Sequence, residues 1–133
     1  MSPEVLSKKL VSMSKYLNDL LPYRDITFEI FMEKHYEIER ILELLIMTAS
    51  DIIFHLLSAQ GEPAPTSYRT AFLRAGEILI ISKDLSQSLA LIAGLRNILV
   101  HEYEEIDYNI LFKSIPTAIK DYSLFMDEIL RRL

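Results

Sequence analysis

Hydrophobic positions along this chain recur every three to four residues, not every two, over nearly its whole length. That period predicts amphipathic helices and argues against strands. Ser2 suits a cap, and Pro3 suits the first helical position, where its missing N–H is no loss. Val5, Leu6, Leu10, Met13, Leu17 and Leu20 then follow at helical spacing until Pro22 ends the run. A second helix is expected to begin at Asp25 or Thr27 and to reach Gln60, with Gly61 fit for a left-handed exit and Gly61 to Ser67 forming the loop. Its apolar residues, from Phe28 to Leu57, occupy more than one side, as in the central helix of a bundle. A short helix from Tyr68 to about Ala75 comes next, and Gly76 to Ile81 link it to a helix that Ser82 can cap. That helix packs through Leu85, Leu89, Ile92, Ala93, Leu95, Leu99 and Val100, and Gly94 permits another backbone to come close. Asp107 can cap a last helix running to about Arg132, which Pro116 should kink or split. The pattern predicts an all-α fold, an antiparallel bundle of four to five helices.

A chain of 133 residues, half of them hydrophobic, reads as one helical domain spanning residues 1–133. With no cysteine, neither a disulfide nor a thiolate zinc site can staple the fold. No stretch approaches the roughly eighteen unbroken apolar residues of a membrane span, since Ile41 to Met47 is interrupted by Glu43. Met1 to Leu10, with Glu4, does not read as a signal peptide, so a cytoplasmic protein with no membrane partner is expected. Charge bears on the choice of partner. The 14 Lys and Arg against 19 Asp and Glu give a formal net charge of −5, opposite to the usual footprint on nucleic acid. Any RNA site therefore needs local positive charge. Arg69, Arg74 and Lys83 are candidates, though ordinary solvated helix charges would look the same. An acidic surface also suits a basic protein partner.

The chemistry-bearing residues cluster between Arg96 and Tyr103, in the order Arg-Asn-Ile-Leu-Val-His-Glu-Tyr. Arg96 supplies a planar, permanently charged fork for phosphate oxygens, and His101 can give and take protons near neutrality. Together they suit cleavage or transfer at a phosphodiester. The plainer reading makes Ile98, Leu99 and Val100 core residues and His101 a partner of the last helix carbonyls. On a regular helix Arg96 and His101 stand about 140° apart. Either the helix frays before His101, or a second copy of the chain completes the site across a twofold axis. Asn97, four residues before His101, can orient the imidazole or contact phosphate, and Asp51 on the long helix is a candidate partner for Arg96. His35 and His55 lack ligand-like neighbours, so no metal and no cofactor are expected.

Arg96, Asn97, Leu99, Val100, His101 and Tyr103, followed by Glu104, Glu105, Ile106 and Asp107, closely resemble the signature of HepT-type toxins, a branch of the HEPN (higher eukaryotes and prokaryotes nucleotide-binding) domains. The family motif is arginine, four to six residues, histidine, any residue, tyrosine, and Arg96, His101 and Tyr103 match it. The likeness extends back through Gly61 to Pro65, Ser67 to Phe72 and Leu89 to Leu95, and forward into the last helix, while Met1 to Asp25 carry little of it. The resemblance implies an HEPN-like bundle in a symmetric homodimer that places the two motifs together. It further implies metal-independent ribonuclease activity, with His101 as general acid or base and Arg96 stabilising the transition state. Tyr103 would be the target of adenylylation by a cognate minimal nucleotidyltransferase antitoxin. A noncatalytic helical module that docks a nucleotidyltransferase or a nucleotide is the alternative, and a plain structural bundle is the third reading.

Overall fold

The computed structural model describes residues 3–100 and 107–133, with the side chains of 95–100 outside the description. Five helices form: α1 (Pro3–Leu20), α2 (Phe28–Ala59), α3 (Tyr68–Glu77), α4 (Lys83–Val100) and α5 (Tyr108–Arg132). A short 3₁₀ turn, Leu21–Tyr23, follows α1, and no strand occurs among the described residues. The helix starts are set by local side-chain chemistry. The Thr27 hydroxyl accepts from the Ile30 N–H, and the Asp107 carboxylate accepts from the N–H groups of Asn109 and Ile110. Ser67 and Thr70 form a reciprocal capping box at the start of α3. Gly61 takes a positive φ of 75° just beyond α2, as its position in the sequence requires.

Helix α2 packs against all four of the others and supplies the middle of the core. Phe31, Ile38, Leu42, Leu45, Ile46, Ala49, Ile52 and Ile53 are all buried along it, which explains apolar residues on more than one side. Among the described residues α2 is also long and apolar enough to suit a membrane span, but here those side chains meet α1, α3, α4 and α5. Helices α4 and α5 run antiparallel: Glu128 near the end of α5 accepts from the backbone and hydroxyl of Ser82 at the start of α4, and Ser88 donates to the buried Asp121. Helices α2 and α5 instead meet through their opening turns. There Phe31 lies 5.5 Å from Phe112 and 6.4 Å from Tyr108, ring centre to ring centre.

Three expectations change in the folded chain. Gly76 does not open a linker but belongs to α3, which continues to Glu77. A Cβ at Gly76 would overlap the Ser86 side chain, so this glycine lets α3 and α4 approach. The left-handed turn falls on Leu79 instead, at φ 61°. Gly94, by contrast, has no atom within 4 Å of where a Cβ would stand and brings no described backbone close. Of the kink or split expected at Pro116, the split does not occur. The helix stays one element because Leu111, Ile115, Ala118, Tyr122 and Phe125 keep its buried stripe continuous, while Pro116 itself faces outward.

One buried group works against stability. The Tyr122 phenol is fully buried with no hydrogen-bond partner among the described residues. Burial first, and then the neighbouring Asp121 carboxylate, holds its proton far above the ordinary tyrosine value. Tyr122→Phe removes an unsatisfied hydroxyl and should stabilise the protein by about 1 kcal/mol, read as a higher urea midpoint with unchanged slope. The sign of the pH effect follows. A phenol whose pKa is raised by folding contributes stability that is present below about pH 10 and lost as pH climbs past it. The variant should therefore lose less stability than the wild type above pH 10.

Candidate functional site

Arg96 and Asn97 lie in the last turns of α4, and Tyr108, just after the motif, opens α5. His101 and Tyr103 fall outside the described residues, as do the side chains of Arg96 and Asn97. The surroundings of the motif helix are nevertheless well defined. Its last described side is Ala93 and Gly94, and against them sit Phe54 of α2, the loop residues Pro65 to Ser67, and Tyr68 and Arg69 at the start of α3. These residues line an open cleft of about 450 Å³. The Phe54 and Tyr68 rings lie 5.8 Å apart, both half-buried, and Arg69 is exposed at the edge. Gly94 leaves its share of the cleft wall without a side chain. Asn97 is one turn further along α4.

The three candidate cations separate clearly. Arg74 is held by two carboxylates: Nε and Nη2 donate to Glu62 at 3.1 and 2.8 Å, and Nη1 donates to Glu77 at 2.8 Å. Its charge is spent within the protein. Lys83 stands at the opposite end of α4, about 20 Å along the helix axis from Arg96 at 1.5 Å per residue. Arg69 makes no ion pair among the described residues and opens onto the cleft beside Gly94. Of the three, it alone lines the cleft beside α4 without an ion pair among the described residues.

Asp51, expected opposite Arg96, accepts from Lys9 of α1 at 2.9 Å. His35 is half-buried, with Nδ1 3.1 Å from the Glu39 carboxylate and its ring 4.8 Å from that of Tyr108. Burial lowers the pKa of His55 below the ordinary imidazole value. No three His, Asp or Glu side chains gather as a metal site among the described residues. Phe54 and the cleft it forms escape sequence reasoning, because at helical spacing an aromatic residue reads as core.

Five helices form the frame, with Arg96 and Asn97 in the last turns of the fourth and the rest of the motif following in the sequence. The chain belongs to the ribonuclease HepT-like family, whose model matches residues 13–129. It is 32% identical over 130 residues to the tRNA nuclease HepT of Aphanizomenon flos-aquae, covering 96% of this chain and 88% of that one. It is also 33% identical over 79 residues to the mRNA nuclease HepT of Shewanella oneidensis, 59% of each chain. In fold it matches a solved structure of the tri-AMPylated Shewanella oneidensis HEPN toxin in complex with an MNT antitoxin, at a TM-score of 0.86 and 22% identity, over 98% of this chain and 99% of that one.

Proposed function

We propose that this protein is, as one domain, the endoribonuclease toxin of a two-component pair, cleaving RNA without a metal and silenced by a nucleotidyltransferase antitoxin. The observation that carries the reading is the sequence motif Arg96, His101, Tyr103, which begins in the last turns of α4 and lies inside the stretch over which the chain belongs to a ribonuclease family. In this account His101 takes the proton from a ribose 2′-hydroxyl or gives one to the departing 5′-oxygen. The 2′-oxygen bonds to phosphorus, the bond from phosphorus to the 5′-oxygen breaks, and a 2′,3′-cyclic phosphate remains. Arg96 stabilises the charge that builds on the phosphate oxygens, and Asn97 orients the imidazole. Asp51 is left out of the reacting set, since Lys9 already neutralises it.

The angle of about 140° between positions 96 and 101 on a regular helix supports a homodimer in which the guanidinium of one copy meets the imidazole of the other. On a regular helix Tyr103 would fall near the line of Arg96, seven residues on. Transfer of adenylate from ATP to its phenol oxygen, with release of pyrophosphate, would place negative charge and bulk at the site and repel the substrate phosphate. The tri-AMPylated relative in complex with its antitoxin supports this mode of control.

Incubating the purified protein with cellular RNA in excess EDTA tests the chemistry. The account expects fragments ending in 2′,3′-cyclic phosphate at an undiminished rate. Dependence on added divalent ion, or 3′-hydroxyl ends, would overturn the metal-free route.

A further inference from the structure

We infer that the cleft between the start of α3 and Gly94 of α4 is a nucleotide subsite, which holds the unit of the RNA chain next to the scissile phosphate. This rests on the ribonuclease reading and adds the residues that would grip the substrate. A volume of about 450 Å³ lies within the range of small-ligand sites, roughly 300–1,000 Å³. Its lining matches the two halves of a nucleotide. The half-buried rings of Phe54 and Tyr68 present aromatic surface for a base, and Arg69 presents a charged fork for a phosphate. The missing side chain at Gly94 keeps the cleft open where it meets the motif helix, two residues before Arg96 and about 3 Å along the axis.

Charge selects the occupant. The chain carries a net −5, so an RNA strand is repelled by most of its surface and needs a local cation. Arg74 is consumed by Glu62 and Glu77, which leaves Arg69, among the described side chains, as the group able to draw a phosphate to this end of α4 beside Arg96. An adenylate carried on Tyr103 shares the same chemistry, so the two sources must be separated by experiment.

The probe is a short fluorescent RNA with 2′-O-methyl groups throughout, which cannot be cut and so reports binding alone. Arg69 is exposed and outside every described ion pair, and Gly94→Leu fills the cleft from a helix position with free space around it. Circular dichroism melts verify that both variants fold. Arg69→Ala should weaken RNA binding about tenfold and lower the slope of log affinity against log salt by about 0.7, the signature of one lost phosphate contact on a single strand. Gly94→Leu should weaken binding by a similar factor with no change in salt slope. For cuttable RNA, Arg69→Ala should raise KM far more than it lowers kcat. Wild-type RNA affinity in both folded variants overturns the subsite, and so does a loss confined to binding of free 5′-AMP, which would assign the cleft to the adenylate. Failure of the wild type to cut any RNA would count against the ribonuclease reading while leaving this binding measurement decisive for the cleft.

Discussion

The proposed chemistry predicts that His101→Ala will slow RNA cleavage by about two to four orders of magnitude, the usual worth of a positioned acid or base. The reason is specific to this reaction. A 2′-hydroxyl is a poor nucleophile and a 5′-alkoxide a poor leaving group, so each step needs a proton moved at the moment of bond change. His101 is the one imidazole in the motif. His35 is engaged by Glu39 and the ring of Tyr108, and both it and His55 lie on α2 rather than in the motif, so neither is expected to substitute. Single-turnover rates on a defined RNA, with folding verified by thermal melts, provide the check. A variant that cuts within about threefold of the wild type would remove His101 from the chemistry, a margin well short of the general acid–base range.

Under the proposed covalent control, Tyr103→Phe is expected to escape silencing. Incubated with the cognate nucleotidyltransferase and ATP, the wild type should gain the mass of one or more adenylates and lose RNA cleavage to background. The phenylalanine variant should gain none and remain as active as the untreated protein, because it lacks the oxygen that bonds to phosphorus. Intact-protein mass spectrometry and the cleavage assay read the two effects separately. Silencing of the variant without added mass would mean that the partner acts by occluding the site, and the covalent switch would be wrong.

Much of the bundle was legible because its determinants are local. Thr27, Gly61 and Asp107 mark helix ends through side-chain oxygens or backbone freedom acting within three residues, and the structure places each where the sequence does. What was illegible depends on distant neighbours. Gly76 looks like a turn residue until Ser86 of the next helix is seen against it, and Leu79 carries the left-handed φ that a sequence reader assigns to glycine. The fate of Arg74 rests on Glu62 across a loop, and that of Asp51 on Lys9 one helix away. Nothing in the local sequence distinguishes Arg69 from Arg74. The cleft is a tertiary product in the same sense, since Phe54, Tyr68 and Gly94 come from three helices. The motif itself was legible as a string of residue types whose chemistry fits a phosphodiester, whereas the proposed assembly of the site would need a second copy, which no local pattern encodes.

That assembly is tested most directly by mixing two inactive proteins. Arg96→Ala keeps His101, and His101→Ala keeps Arg96, so a mixed dimer holds one intact pair only if each site draws its arginine and histidine from different copies. Unfolding and refolding the variants together, then measuring RNA cleavage, should restore roughly a quarter of the wild-type rate, for half the dimers mixed and one of two sites intact in each. A mixture no more active than the two variants measured apart would contradict the shared site.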